Sequence, residues 1–226
     1  MKKQIVFFLI LFSTNLIAQE KPNFTAVDSL YREDQFYIGI FYNDLQNLPN
    51  GISQGRFTPS FSAGFLRDMP INKKRNFAIA IGLGYSINNY NHNMLSEPVS
   101  GVFEYSVINK RVEKNKLTLH YIDLPLEIRW RTSTPTNQDF WRIYAGFKVS
   151  YLIYNRTKYI DSEISIIEES NNDFNKFQFG TYLCIGNNTF NFYVYNGLNN
   201  LYKNAFIDNK KIELKSLNLG FMFYIL

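Results

Sequence analysis

"FAIAIGLGYSI", Phe77 to Ile87, alternates without a miss: Phe, Ile, Ile, Leu, Tyr and Ile at the odd positions, Ala, Ala, Gly, Gly and Ser at the even ones. Successive side chains of a strand point to opposite faces. This segment therefore has one face that is apolar along its whole length and another lined by almost nothing. The fold depends on which surroundings want both.

The same period recurs along the chain. A first short strand covers "FYIGIFY", residues 36–42, and a second "FTPSFSAGF", 57–65, with Phe57, Phe61, Ala63 and Phe65 on one face. The opening stretch is the third. A fourth, "LHYIDLPLEIRW", sets Ile122, Leu124, Leu126, Ile128 and Trp130 against Tyr121, Asp123, Glu127 and Arg129. The fifth, "WRIYAGFKVSYLIY", sets Trp141, Ile143, Phe147, Val149 and Tyr151 against Arg142, Tyr144, Gly146, Lys148 and Ser150. "KFQFGTYLCIG", "TFNFYVYNGL" and "SLNLGFMFYIL" complete a set of eight, an even number as bacterial outer-membrane barrels require. The links after strands two, four and six are short (66–76, 131–140, 187–189), and those after one, three, five and seven are longer (43–56, 88–116, 155–173, 199–213). Short turns on one side and long loops on the other belong to a transmembrane barrel with periplasmic turns and extracellular loops.

Aromatic placement points the same way. Phe65 and Phe77 bracket the first short turn, Trp130 and Trp141 the second, all on the lipid-facing parity, where the water–hydrocarbon boundary favours such rings. A periplasmic sandwich would also alternate, but it would not need both tryptophans pointing outward at one level. The reading is an all-β, eight-stranded antiparallel transmembrane barrel over residues 36–226. Its apolar face meets lipid, closure satisfies the backbone, and the small face leaves room for side chains in a narrow lumen.

Composition and ends agree. The chain opens MKKQIVFFLILFSTNLIAQE, a basic start, an apolar stretch and small Ala18, the pattern of a secretory signal over residues 1–18. Residues 19–35 are expected to form a periplasmic N-terminal segment, which puts both termini in the periplasm of an outer-membrane protein. Phe and Tyr number 21 and 16, and aromatic residues make up 17%, yet the mean hydropathy is only −0.22. The net charge of +5 includes Lys2 and Lys3, and the basic residues are scattered, which argues against nucleic-acid binding. A single cysteine, Cys184, excludes an internal disulfide and CxxC metal sites, and on the inward parity it reads as a small packing residue.

Inward parity on strands four to six gathers Asp123, Glu127, Arg129, Arg142, Lys148 and Lys176, with Tyr121, Tyr144, Tyr182 and Gln178. A proton path or paired-carboxylate site is one reading. The expected one is a salt-bridged plug, because charges removed from water must be paired and hydrogen-bonded. His92 and His120 lack a local motif, so catalysis is not expected, nor are a cofactor, a metal or a small-molecule substrate. Pro125 deletes a ladder hydrogen bond where a closed barrel has no free edge, and a β-bulge there would absorb it. The acidic loop "YIDSEISIIEESNNDFN" and the basic "NKRVEKNK" could fold together or simply be solvated.

The stretch "LTLHYIDLPLEIRWR" followed by "RIYAGFKVSYLI" resembles the PorT-like outer-membrane barrels of Bacteroidota. The matching residues are Tyr121, Ile122, Leu124, Pro125 and Leu126, then Tyr144, Ala145 and Gly146. The resemblance implies a small non-enzymatic barrel, and some members are components of type IX secretion. An accessory or scaffold subunit contacting other membrane and periplasmic secretion proteins is therefore expected, in contact with outer-membrane lipid. The rivals are a stand-alone barrel acting as a lipid-modifying hydrolase, a structural or adhesive surface protein, and a porin. Strand count opposes the last, since aqueous channels take about 16–18 strands.

Overall fold

The computed structural model describes residues 32–225 apart from 56, 111 and 134–139. The expected signal segment and most of the expected N-terminal segment lie outside the described residues. Eight long strands form the wall: β1 Gln35–Gln46, β2 Pro59–Pro70, β3 Phe77–Asn91, β6 Lys114–Arg131, β7 Trp141–Ile160, β9 Phe177–Asn187, β10 Phe190–Gly197 and β13 Lys215–Ile225. Each pairs antiparallel with its neighbours in the ring β1-β2-β3-β6-β7-β9-β10-β13. β13 returns to β1 from Phe36↔Ile225 to Gln46↔Lys215, which closes the sheet into a cylinder. Among the described residues no helix is long and apolar enough to cross a membrane.

Burial follows the alternation read from the sequence. Phe77, Ile79, Ile81, Leu83 and Tyr85 of β3 are exposed on the outer wall, whereas Ala78 and Ala80 have no exposed surface. Such a belt of exposed aliphatic and aromatic side chains on every strand suits contact with hydrocarbon. β2 opens at Pro59, not Phe57, and runs on to Pro70. Phe65 therefore lies mid-wall opposite Leu83, with its ring 5.1 Å from that of Phe36, and does not bracket the turn. Phe77 and Trp130 are paired across strands and Trp141 is exposed beside them at the turn end.

Pro125 carries no bulge. Its strand stays in register with β7 from Asp123↔Ser150 to Glu127↔Gly146. On the β3 side the pairing lapses between Ile81↔Leu126 and Gly84↔Asp123 and resumes unshifted. The missing N–H costs ladder bonds locally and leaves every facing unchanged. The register shift falls instead at His120/Tyr121, where Tyr154 and Leu152 pair with successive residues of β6 and Ile153 is extra. Beyond it the inward parity of β7 switches from Leu152 to Asn155, Thr157 and Tyr159.

The loop end holds further structure. β4 Met94–Val99 and β5 Val102–Val107 make a hairpin, β8 Ser165–Glu169 extends the sheet beside β7, and β11 Phe206–Ile207 pairs with β12 Lys210–Lys211. Both hairpins turn through two residues with positive φ, Ser100 and Gly101 (52° and 85°) and Asp208 and Asn209 (49° and 60°). That geometry matches the right-handed twist of the flanking strands.

Candidate functional site

The lumen is filled from the turn end upward. Asp68 receives both Nη1 and Nη2 of Arg131 at 2.9 Å and Nη1 of Arg129 at 3.0 Å. Arg129 also donates through Nε to Glu127 at 2.7 Å, and Glu127 accepts from the Tyr182 hydroxyl at 2.7 Å. Glu33, just before β1, is drawn into the same mouth. Its N–H donates to Asp68 (3.3 Å), its carbonyl accepts from Arg129 (3.3 Å), and its carboxylate lies 3.4 Å from Arg131. Burial raises the Glu33 carboxyl above its ordinary value, and Arg131 pulls the other way. Arg142 is stacked against Phe140, with its guanidinium carbon 4.5 Å from the ring centroid, and lies 5.4 Å from that of Tyr224.

Further in, Asp123 accepts from Ser150 Oγ at 2.5 Å and lies 3.6 Å from Lys148, whose ammonium sits over the Tyr195 ring. Four lumen carboxylates (Glu33, Asp68, Asp123, Glu127) thus share the interior with four cations (Arg129, Arg131, Arg142, Lys148). Charges out of bulk water persist only when balanced in this way. The small positions on the wall have a specific use. A Cβ on Gly146 would lie 2.2 Å from Tyr182 Cζ, and one on Gly180 2.2 Å from a Tyr195 ring carbon, so each glycine is the shelf for a tyrosine from the next strand. The spaces left are water-sized, about 20 Å³ beside Asp123 and Glu127 and about 10 Å³ beside Asn88 and Gln178. Either is roughly one water's room.

An asparagine and serine layer follows. Asn43 donates to Ser60 (2.7 Å) and to Asn88 (3.3 Å), and Ser216 donates to Asn218 (2.6 Å). Above it the loops close over an apolar cluster that includes Leu45, Tyr90, Met94, Leu117, Phe174, Tyr202 and Leu214. The acidic and basic loops do meet. Lys110 lies 2.6 Å from Asp161, and this contact, with the Tyr159 hydroxyl and two backbone N–H groups, holds Asp161 well below the usual carboxylate range.

The histidines lie apart. His92 is buried under the loops, with Nδ1 accepting from the Met94 N–H at 3.2 Å; burial pulls its pKa down to about 4. His120 faces outward, bonded through Nδ1 to the Tyr85 hydroxyl and packed edge-on against Tyr154. Neither makes a hydrogen bond to a carboxylate, serine or cysteine among the described residues. No group of three His, Cys, Asp or Glu there could hold a metal. Cys184 is buried and accepts from the Tyr224 hydroxyl at 3.6 Å.

A family model described as "Outer membrane protein beta-barrel domain" matches residues 17–203. The chain belongs to that outer-membrane barrel family. Among solved structures it is similar to Ail, the attachment invasion locus protein of Yersinia pestis. The identity is 11% over 86% of this chain and 100% of that one, with a TM-score of 0.39. A structure of the same Yersinia pestis protein with the heparin analogue sucrose octasulfate gives the same identity and coverage, with a TM-score of 0.35. No curated protein matches in sequence.

In this outer-membrane barrel the sequence-selected lumen residues separate into two groups. Asp123, Glu127, Arg129, Arg142 and Lys148 share the interior. Lys176 does not: it is exposed at the loop end, one residue before β9 begins at Phe177, and contributes its carbonyl to the Leu152 N–H. Glu33, Asp68 and Arg131 were absent from the sequence selection. Asp68 and Arg131 continue the inward parity of β2 and β6 past the ends assigned to those strands, so extending the count would have found them. Of the motif residues, Tyr121, Pro125, Tyr144 and Gly146 face the lumen and Ile122, Leu124 and Leu126 the outer wall.

Proposed function

We propose that this barrel is a sealed, non-catalytic protein that acts by contact, as an accessory or scaffold subunit of a larger envelope assembly. Its loops face outward and both termini lie in the periplasm. The observation that carries this reading is the packing of the interior. An ion-paired plug fills the turn end, and an apolar cluster of buried strand-end and loop residues fills the other. Among the described residues the spaces beside the lumen charges are water-sized, which favours a filled lumen over a conduit, and a folded cap gives partners a fixed surface. Val99 and Val102 on the β4–β5 hairpin and Ile164 and Ile167 around β8 are exposed on that cap.

The likeness of the β6–β7 region to PorT-like barrels makes type IX secretion the most concrete assembly. Affinity purification of the tagged chain from mild-detergent extracts, with mass spectrometry of its companions, tests it. A giant translocon barrel and periplasmic secretion subunits are the expected companions, and deletion should lower cargo secretion without altering lipid chemistry. A protein recovered alone, with secretion unchanged on deletion, would overturn the accessory reading. Loss of a lipid-modifying activity in His92→Ala or His120→Ala would overturn the non-catalytic one.

A further inference from the structure

We propose that the outer wall of β9 and β10 docks a second copy of this chain inside the membrane, through a reciprocal pair of Asn196 amides set among phenylalanines. The inference goes beyond the accessory reading and does not depend on which way the loops point.

Asn196 of β10 and Thr181 of β9 are paired across the ladder on the lipid-facing parity. Apolar residues surround them: Phe147 and Leu217 on the adjoining strands, Phe179 and Leu198 toward the loop end, and Leu183 and Val194 toward the turn end. Thr181 is exposed and Asn196 half-buried, and the Asn196 amide is not sealed from the surface. Among the described residues neither side chain has a hydrogen-bond partner. Asn199, three residues on, shows how such an amide is ordinarily satisfied. It donates to the Phe177 carbonyl at 2.9 Å and accepts from the Phe179 N–H at 2.8 Å.

The pair lies well inside the apolar band. Thr181 stands six residues along β9 from Asn187, whose ladder partner is the turn-end residue Trp141. That is about 20 Å of strand, or about 15 Å along the membrane normal at the usual tilt, within a band about 25 Å tall. Lipid esters and headgroups at the edge of that band are beyond the reach of side chains this short. A carboxamide left in hydrocarbon without a partner is costly, and polar groups at such depth mark places where something other than lipid meets the protein.

Self-complementarity selects a second copy as the occupant. A carboxamide carries both donors and an acceptor. A two-fold axis along the membrane normal brings two Asn196 side chains together at equal depth, each Nδ2 donating to the other's Oδ1. Such an isologous contact needs nothing that the chain does not already present. Between surfaces that already face lipid, association rests on packing and hydrogen bonds, and the wall here is packed in advance. The rings of Phe190 and Phe221 are 4.8 Å apart, those of Phe192 and Phe221 6.2 Å, and those of Phe177 and Phe179 6.5 Å and nearly parallel. Rings already held by their neighbours lose little freedom on docking. Across the ring of strands, β3 presents Phe77, Ile79, Ile81 and Leu83 to lipid with no polar residue among them.

The test uses the full chain refolded into phosphatidylcholine vesicles, with folding checked by heat-modifiable gel mobility. Under oxidation Asn196→Cys should give a disulfide-linked dimer, and Thr181→Cys serves if that variant misfolds. Leu83→Cys, halfway round the ring, should give no more dimer than wild type, whose Cys184 is buried. Energy transfer between copies labelled at Ser100→Cys, followed as the lipid-to-protein ratio rises, measures the dimer without a cross-link. Asn196→Leu should raise its dissociation constant at least ten-fold while the monomer resists urea as well as wild type does, since leucine suits lipid. Equal cross-linking at Asn196 and Leu83, energy transfer that Asn196→Leu leaves unchanged, or a monomer at every lipid-to-protein ratio would overturn the proposal. In cell envelopes a photo-crosslinking residue at position 196 should capture this same chain, and capture of a different protein in its place would overturn it too.

Discussion

Asp68→Asn should be among the most damaging single changes in the barrel. Asp68 has no exposed side-chain surface and accepts from two guanidinium groups at 2.9–3.0 Å. An asparagine keeps one acceptor oxygen and turns its NH₂ toward Arg129 or Arg131, leaving buried positive charge uncompensated. Breaking a buried pair from one side costs about 3–5 kcal/mol, a large part of a total stability of about 5–15 kcal/mol. Removing both partners should be far gentler. Asp68→Leu with Arg131→Met takes away the charge together with its counter-charge, and Arg129 keeps Glu127 at 2.7 Å. In that pair Glu33 loses Arg131 and its N–H loses Asp68, so the double variant should fall between wild type and the single one. The assay is urea unfolding in phosphatidylcholine vesicles, followed by the fluorescence of Trp130 and Trp141, both at the turn end. The reasoning fails if Asp68→Asn costs under about 1 kcal/mol, as a solvated surface pair would, or if the double variant is as unstable as the single one.

Three further outcomes follow from other parts of the molecule. Gly146→Ala sets a methyl 2.2 Å from Tyr182 Cζ and should cost about 1–3 kcal/mol by overpacking; added Tyr182→Leu should recover part of it in the same urea assay. His92 is held neutral, with its pKa lowered from 6.5 to about 4. The loop cap should thus have its full stability above pH 6.5 and lose it as pH falls from 6.5 toward 4, by about 3 kcal/mol in all. Hydrogen exchange across the β4–β5 hairpin should show this, and His92→Gln should flatten the profile. In planar bilayers the folded protein should give no discrete channel openings, and regular unitary currents would show that the lumen is not sealed.

The wall was legible in the sequence because lipid on one side and a narrow lumen on the other impose a strict period of two. Phe77 to Ile87 shows it unaided. The ends were harder to read because the apolar signal stops where the strand leaves hydrocarbon, while the strand itself continues. β6 runs on through Lys116, Leu117, Thr118 and Leu119, where the apolar residues change to the inner face, and β7 through Arg156, Thr157 and Lys158, where polar residues hold both faces. Asp68 and Arg131 were lost for the same reason at the other end.

The loop-end hairpins were missed for a different cause. Ser100-Gly101 and Asp208-Asn209 are the two-residue, positive-φ turns that favour hairpins, but strands as short as Phe206–Ile207 leave no period to count. Only the apolar cluster beneath, with Ile207, Ile212 and Leu214 buried in it, gives them a reason to form. The Pro125 expectation failed on energetics. A bulge would have turned Asp123, Glu127 and Arg129 partly toward lipid, since a slip of one residue reverses every facing. Exposing a buried ion-paired set to hydrocarbon costs far more than the ladder bonds lost beside Gly82 and Leu83. The register is thus held by the charges inside the lumen, and Pro125 is tolerated because it sits between them.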